Sequence, residues 1–445
     1  MQKDICFIEN SKDIALISKL NSNNILFVPL NLETFLFCKE KNYEIFDFKK
    51  NISTEFHQKA LKISKEFTDN LKFCFDLNYS LKSEIIFFLR FRFNSIILIL
   101  EIVEKIKKEF DINNIIVSGL KKDIHRNIND GNIVTEIIEN LFKNKISIRK
   151  LSNFSGENDY PNLEGYAPVK NNIFFNKNVL LSNAGYNFKR IVNILKKNKI
   201  NVWIPFFNNL NLIKSYLYRL RGFNPIEFIQ DGDNKNLKDY IQKITFRYNS
   251  HDLSELLNIF YRKLNYYFND VEQRSIALKK MINQNAFSLT ISNIVKGVNG
   301  SILDKDIKCN SLCVSHGIIA QSFDAFDKVY KKIIAEAVFN GESKFFAIQS
   351  QTMLNSLNTH EINGKAINTG NIVFSSINKK KHKGHVLHAS TIKDFFNLQF
   401  LGVEMFYEYW TVLSILNKIA KKSSLKIFIK PHPTIKNCTK KLKKN

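Results

Sequence analysis

The sequence LKIFIKPHPT, from Leu425 to Thr434, sets three consecutive apolar residues before a Lys-Pro-His-Pro tetrapeptide. The apolar residues 427–429 predict a short strand that is buried on both faces, as strands of a parallel sheet are. Each proline biases the residue before it toward an extended conformation, so Lys430 and His432 are held on a stiff segment at the strand's carboxyl end. In a parallel sheet this is the end at which ligands bind.

The side chains of this tetrapeptide suit a phosphate group. The ammonium group of Lys430 is a compact positive charge, and the imidazole of His432 can donate a hydrogen bond. The alternative is a strand that ends in a proline-rich turn and binds nothing. For these residues alone, both interpretations remain open.

Length and composition predict a folded chain of more than one domain. The 445 residues allow two or three domains, and 44% hydrophobic residues with 39 phenylalanines argue against disorder. The six cysteines lack metal-ligand spacing, and reduced thiols of a cytosolic protein account for them. The first residues, MQKDICFIENSKDIALI, lack the pattern of a secretory signal peptide, so we expect a cytoplasmic protein.

The formal net charge of +25 arises from 66 basic and 41 acidic residues. No basic stretch is interleaved with aromatic residues, and no zinc-finger or ribonucleoprotein signature occurs, so we do not expect nucleic acid as a partner. Either a basic face toward an anionic membrane or glycan, or a solvated lysine-rich surface, explains the charge.

The most apolar run is IIFFLRFRFNSIILIL, residues 85–100. Arg90 and Arg92 interrupt it, and its uninterrupted apolar pieces are much shorter than the roughly 20 residues that a membrane span needs. The run therefore predicts a buried or interfacial helix that continues into EIVEKIKKEF.

Strand and helix patterns alternate along the chain. Strands are predicted at 25–28, at 114–119 with a small-residue turn, and at 178–182, where the turn NAGYN follows before a helix and the strand INVWIPF. The stretch 210–294 has a mainly helical pattern. This alternation predicts an α/β fold with a parallel, doubly wound sheet.

A second histidine motif follows a predicted strand. Leu312, Cys313 and Val314 form the strand, and the motif Ser315-His316-Gly317 lies at its carboxyl end. A histidine there is well placed to remove a proton from a hydroxyl group near neutral pH, and glycine allows close backbone approach. A hydrogen-bonded loop histidine without a catalytic role is the alternative.

The last part of the chain predicts a new domain. The polar segment 376–384 is a linker, HVLHA at 385–389 is a strand, and a helix at about 404–421 leads to the strand of the KPHP motif. We therefore predict an acceptor-side domain with helical insertions over 1–375 and the start of a nucleotide-donor domain over 385–445.

Four motifs in order resemble one family: Ser315–Gly317, Thr369–Asn371, His385–Asp394 and Lys430–Pro433. The chain resembles, over residues 310–434, the GT-B transferases of bacterial surface polysaccharide synthesis. These include CDP-glycerol glycerophosphotransferase-like enzymes of teichoic acid synthesis and capsule and sialic-acid transferases that use CMP-activated sugars. The resemblance implies two doubly wound Rossmann-like domains that face each other across a cleft.

The resemblance also implies the role of each motif. His316 is similar to the family's cleft histidine, a candidate general base for the acceptor hydroxyl. Ser390 and Thr391 match the loop near the donor phosphates, and Lys430 and His432 match the donor-phosphate motif. The residues expected to line the cleft are Ser315, Gly317, Gly370 and Asn371. No metal and no cofactor is implied, since side chains alone stabilise the leaving phosphate.

The sequence departs from the family pattern in two places. The family often has proline and aspartate after TGN, where this chain has Ile372, Val373, Phe374 and Ser375. Family members also continue past KPHP through further strand and helix units, so we expect the second domain to be truncated in this chain.

The resemblance predicts a glycosyltransferase of cell-surface polysaccharide synthesis. The donor is a nucleotide-activated sugar or polyol, with a cytidine nucleotide favoured, and the acceptor is a glycan or a lipid-linked glycan. Two alternatives remain open: a glycerol- or ribitol-phosphate transferase of the same fold, and a non-catalytic relative. Peripheral association with the inner face of the plasma membrane is compatible with the basic charge.

Overall fold

The computed structural model describes residues 2–9, 11–20, 23–119, 133–152, 163, 165–169, 177–185, 188–207, 210–231, 236–285, 287–314, 322, 324–338, 341–357, 364–370, 386–389, 406–423 and 425–430. Helices and mostly parallel strands alternate through these residues, so the predicted α/β class is confirmed. The predicted linker 376–384 lies outside the described residues.

The first part of the chain builds a four-stranded sheet. Its elements are β1 (Gln2–Ile8), α1 (Ser11–Ile17), β2 (Ile25–Pro29), α2 (Leu32–Glu40), α3 (Phe48–Asn51), α4 (Thr54–Asp69), α5 (Tyr79–Glu109), β3 (Asp111–Val117), α6 (Val134–Phe142) and β4 (Ser147–Lys150). The strand order is β2-β1-β3-β4, and all neighbours are parallel. Sequence patterns predicted β2 as the first clear strand, whereas β1 precedes it at the centre of the sheet.

Helix α5 covers one face of this sheet and confirms the helix that was predicted for residues 85–100. The side chain of Asn78 accepts a hydrogen bond from the backbone N–H of Leu81 (2.9 Å) and begins the helix. Most of its middle turns are buried, including Arg90 and Arg92. Among the described helices, none combines the length and apolar character that crossing a bilayer requires.

The second part builds an eight-stranded sheet. Its elements are β5 (Gly165–Pro168), β6 (Asn178–Leu181), α7 (Lys189–Lys197), β7 (Asn201–Phe207), α8 (Leu212–Leu220), β8 (Asn224–Asp231), β9 (Arg247–Tyr248), β10 (His251–Asp252), α9 (Ser254–Gln284), β11 (Phe287–Ser292), α10 (Gly297–Ser301), β12 (Asn310–Cys313), α11 (Ala325–Val338), β13 (Phe345–Ile348), α12 (Gln351–Leu357) and β14 (Lys365–Asn368). Strands β9 and β10 form a separate hairpin.

The order in this sheet is β14-β13-β12-β11-β6-β7-β8-β5. Every neighbouring pair is parallel except β5 with β8. Strand β6 is buried along its whole length because core clusters lie on both faces of the sheet. Both sheets are compatible with Rossmann-like domains.

One prediction was wrong. The stretch 210–294 is not mainly helical, because it contains β8, the β9–β10 hairpin and β11 as well as α8 and α9. Strand β8 begins with Asn-Pro, which a helix interior would not tolerate, and β11 (FSLTIS) alternates apolar and polar residues along its whole length, as a strand does. The buried aromatic residues of α9, such as Phe260 and Phe268, belong to the core that α5 shares.

The last described elements form a strand-helix-strand unit: β15 (Val386–Ala389), α13 (Phe406–Lys422) and β16 (Ile427–Lys430). The two strands pair in parallel, with Ala389 opposite Lys430. The prediction that residues 427–429 are buried on both faces was wrong, since Phe428 is 51% and Ile429 43% exposed. The reason is packing: Tyr409 and Leu413 of α13 join the core of the first sheet.

Candidate functional site

The eight-stranded sheet reverses its strand order between β6 and β11. From β6 the chain continues outward through β7 and β8, and from β11 it continues in the opposite direction through β12, β13 and β14. The connections on the two sides of this point diverge and leave a crevice outside the carboxyl ends of β6 and β11, where doubly wound proteins bind ligands. The candidate site is therefore the carboxyl edge of this sheet.

Polar side chains from both central strands meet at the crevice. The Asn183 side-chain amide donates to Asn293 Oδ1 (3.2 Å), which joins the segment after β6 to the segment after β11. The backbone N–H of Ser182 donates to Ile291 O (2.9 Å), and Asn183 Oδ1 accepts from the backbone N–H of Gly185 (2.8 Å). The NAGYN turn thus presents a fixed amide, and small residues leave room beside it.

The SHG motif leaves the sheet at the same edge. Strand β12 ends at Cys313, and the backbone N–H of Val314 still donates to Ser292 O (2.7 Å). The motif Ser315–Gly317, including His316, lies outside the described residues. In the sequence it follows directly after Val314, the last described residue of this segment.

The TGN motif follows β14, two strands away from β12. The backbone N–H of Thr369 donates to Ile348 O (2.9 Å), and the backbone N–H of Gly370 donates to Asn368 Oδ1 (3.2 Å). Gly370 has a left-handed backbone (φ +62°), and a Cβ atom there would meet nothing within 4 Å. Asn371 lies outside the described residues. Two strand spacings put the carboxyl ends of β12 and β14 about 10 Å apart.

The residues that the resemblance assigns to the donor phosphates follow a different pair of strands in the sequence. Ala389 and Lys430 lie opposite each other at the carboxyl ends of β15 and β16, so the segments after them start about 5 Å apart. Lys430 is exposed at the end of its strand. Ser390, Thr391 and His432 follow these two residues and lie outside the described residues. The strands that precede or contain the four motifs thus fall into two groups: β12 and β14 in the eight-stranded sheet, and the parallel pair β15 and β16.

The described residues of β12 and the position just before it include two thiols. Burial raises the pKa of Cys313, the last residue of β12, and raises the pKa of Cys309 just before that strand. Both thiols therefore stay neutral and are poor nucleophiles. Among the described residues, no group of three or more His, Cys, Asp and Glu side chains is placed to hold a metal ion.

The first sheet has a crevice of its own, between β1 and β3, that the sequence did not predict. Glu9 follows β1, and its carboxylate accepts from the backbone N–H groups of Ile133 (3.0 Å) and Val134 (3.1 Å) at the start of α6. Burial raises the pKa of Glu9 to about 8, although these hydrogen bonds and Arg92 oppose the shift. The sequence feature that could have revealed Glu9 is an acidic residue directly after the apolar run ICFI.

A ligand-sized cavity of about 590 Å³ lies between α2, the segment 42–49 and α13. Its wall is aromatic, and the rings of Phe35 and Trp410 meet edge-on with centroids 6.2 Å apart. Lys39 and Lys49 line it as exposed cations. Sequence patterns did not predict this cavity, because it joins residues that are about 370 positions apart.

No family model, curated protein or solved structure matches this chain. The function must therefore be inferred from the residues themselves. The described residues at the carboxyl ends of these strands include polar side chains, a glycine with open space around it and a lysine. In parallel sheets, ligands bind at such positions. Ser292 and Asn293 were missed by sequence reasoning because their strand, β11, falls in the stretch that was predicted to be mainly helical.

Proposed function

We propose that this protein is a glycosyltransferase of cell-surface polysaccharide synthesis that uses a CMP- or CDP-activated donor. One observation carries the proposal: each of the four motifs contains or closely follows in sequence the carboxyl end of a parallel strand, two in the eight-stranded sheet and two in the β15–β16 pair. That is the edge at which such sheets bind nucleotides and phosphates. The finer arrangement, two domains of GT-B type facing across a cleft, is part of this proposal.

In the proposed reaction, His316 takes the proton from the acceptor hydroxyl group. The acceptor oxygen then forms a bond to the anomeric carbon of the donor sugar, and the bond from that carbon to the nucleotide phosphate breaks. The electron pair leaves with the phosphate. General-base assistance of this kind contributes about 10²- to 10⁴-fold to the rate.

The leaving phosphate carries the new negative charge. Lys430 supplies a positive charge beside it, and His432, Ser390 and Thr391 supply hydrogen-bond donors. Because β15 and β16 are paired in register, both segments can reach one phosphate group. Ser315, Gly317, Gly370 and Asn371 shape the acceptor side in this proposal.

Calorimetric titration with CMP, CDP, UDP and GDP tests the donor site. We expect a cytidine nucleotide to bind best, and His432→Ala or Lys430→Ala to weaken that binding about 10- to 100-fold through loss of a charge-assisted hydrogen bond. Lys426→Ala is the matched control, since Lys426 precedes the same strand at its opposite end. Equal binding by the Lys430 and Lys426 variants, or no nucleotide binding at all, would overturn the donor site.

Turnover with a set of sugar and polyol donors tests the chemistry. His316→Ala should lose about 10²- to 10⁴-fold in kcat while nucleotide affinity persists. Turnover with CDP-glycerol or CDP-ribitol instead of a nucleotide sugar would assign the protein to phosphate transfer. Unchanged activity in His316→Ala would reject His316 as the general base, and nucleotide binding without any turnover would favour a non-catalytic binding protein.

A further inference from the structure

Helix α8 exposes apolar side chains on the face that points away from the sheet. Its exposed fractions are 90% for Leu212, 72% for Ile213, 62% for Tyr216, 47% for Leu217 and 63% for Leu220. None of the nine residues of the helix is buried. A surface helix normally turns its apolar face toward the core, whereas α8 turns its apolar face toward the solvent.

The exposed residues form one continuous stripe. At 3.6 residues per turn, the five side chains cover an arc of about 140°. Tyr218 lies opposite this arc and packs toward the sheet, with its ring centroid 4.7 Å from that of Phe206 and 6.3 Å from that of Phe223. The stripe therefore faces away from the sheet, because the opposite side of the helix holds α8 in place.

Basic residues border the stripe on both sides. On the helical wheel, Lys214 follows one margin of the arc and Arg219 precedes the other. The neighbouring helix α7 adds Lys196, which lies against the backbone of Gly222 at the end of α8, and exposes Ile194 next to its own lysines. Apolar and cationic groups are thus interleaved over two adjacent helices.

The charge of this region is one-sided. Between Glu164 and Glu227 the sequence contains ten lysine and arginine residues and no acidic residue. Helices α7 and α8 and strand β7 between them therefore contain no acidic residue, although the chain as a whole has 41. A partner for this surface must therefore offer both negative charge and an apolar interior.

We propose that α8, with α7 beside it, docks the protein on an anionic lipid bilayer. The stripe of Leu212, Ile213, Tyr216, Leu217 and Leu220 enters the boundary between headgroups and acyl chains, and the flanking basic residues contact anionic headgroups. A protein partner would need acidic groups and an apolar groove in matching positions, whereas a bilayer supplies both over any area.

The docking surface also sets the orientation of the candidate site. Helix α8 follows β7, so its first residues, Leu212 and Ile213, lie toward the carboxyl edge of the eight-stranded sheet. A docked protein would hold that edge near the bilayer, where a lipid-linked acceptor would be found. This last consequence rests on the proposed function, whereas the docking itself does not.

Vesicle co-sedimentation of the full chain tests the docking. We expect binding to vesicles of phosphatidylglycerol and phosphatidylcholine, little binding to phosphatidylcholine alone, and a decline with salt. The triple variant Leu212→Ser, Tyr216→Ser, Leu220→Ser should bind at least 10-fold more weakly, and Lys214→Gln or Arg219→Gln about 5-fold more weakly. All five positions are exposed, so the variants should keep the wild-type melting temperature.

Two matched controls carry the same chemical change elsewhere. Leu237→Ser and Ile276→Ser replace apolar residues that are 54% and 49% exposed on other surfaces, and they should leave vesicle binding unchanged. Equal loss in these controls and in the α8 variant would overturn the proposal, as would absence of binding to anionic vesicles. A wild-type dimer that the triple variant abolishes would assign the stripe to a second copy of the chain instead.

The vesicle assay contains no donor and no acceptor. Membrane binding without any transferase activity would keep the docking and reject the proposed function. Transferase activity on a soluble acceptor without vesicle binding would keep the proposed function and reject the docking.

Discussion

Gly119 and Gly370 both end a strand in a left-handed backbone, but their surroundings differ. Gly119 (φ +73°) follows β3, and a Cβ atom there would lie 2.0 Å from the backbone oxygen of Ser152. A Cβ atom on Gly370 would meet open space. Gly119→Ala should therefore cost about 3 kcal/mol or more, and Gly370→Ala only about 1 kcal/mol of backbone strain.

Urea unfolding of both glycine variants measures this difference. Equal losses of unfolding free energy would show that the contact with Ser152 O relaxes at little cost. The small-residue turn after β3 was predicted from the sequence, but the close approach of Ser152 was not. A turn preference is local, whereas the neighbouring backbone comes from a different strand.

Glu9 makes the free energy of unfolding depend on pH. Burial raises its pKa to about 8, so the folded state holds a proton that the unfolded state loses above about 4.5. The stabilising contribution is complete below pH 4.5 and is lost as pH rises through 8. At 1.36 kcal/mol per pKa unit its upper limit is about 5 kcal/mol.

Glu9→Gln mimics the protonated side chain and tests this dependence. The variant and the wild type should have similar unfolding free energies at pH 5, and the variant should be more stable at pH 8.5. Exposed Glu40→Gln serves as the control. A variant that is less stable than the wild type at pH 8.5 would mean that the start of α6 and Arg92 hold the carboxylate ionised.

At the scale of elements, the N-cap residue of α2, Asn31, connects the helix to the segment directly after β1. Asn31 Oδ1 accepts from the backbone N–H of Thr34 (2.9 Å), and the Asn31 amide donates to Glu9 O (2.7 Å). The capping box is complete because the Thr34 hydroxyl accepts from the backbone N–H of Asn31 (3.3 Å). The same side chain therefore caps α2 and holds the start of the helix against the end of β1.

Asn31→Ala should cost about 2–3 kcal/mol, because it removes a helix cap and a buried hydrogen bond. Asn211→Ala is the matched control: Asn211 Oδ1 accepts from the backbone N–H of Lys214 (2.8 Å) at the start of α8, a helix that has no buried residue. We expect a loss of about 1 kcal/mol there. Chemical denaturation measures both, and equal losses would show that the bond to Glu9 O contributes nothing.

Helix α5 shows how far an element can be predicted. Its apolar run and the two arginines within it indicated a buried helix, and the structure confirms this. The partners of the arginines were not predictable. Arg92 is fully buried near the ring of Phe260 (6.0 Å from its centroid), and burial lowers its pKa to about 10. That ring comes from α9, more than 160 positions away.

At the scale of the whole molecule, Glu336 of α11 joins the layers of the two sheets. Its backbone oxygen accepts from the hydroxyl groups of Tyr79 (3.1 Å) and Ser83 (3.0 Å) on α5. Its carboxylate lies 3.7 Å from the buried guanidinium of Arg90 and 3.9 Å from Lys65. The second sheet thus depends on helices of the first.

Glu336→Ala should lower the unfolding free energy by about 3 kcal/mol, because it leaves the buried cation of Arg90 without its carboxylate. Glu104→Ala, which removes a largely exposed pair with Lys107 (3.1 Å), should cost at most about 1 kcal/mol. Circular dichroism during urea unfolding follows both variants. Similar midpoints would show that the carboxylate contributes little to the junction.

The sequence by itself determined the alternation of strands and helices, the helix over residues 85–100 and the position of each motif after a predicted strand. These features depend on the spacing of apolar residues and on prolines and glycines, which act over a few positions. Only the tertiary structure decided the strand orders, the two crevices and the exposure of α8 and β16. Strand order and burial depend on which distant segments cover each face, and a local pattern does not specify its partner.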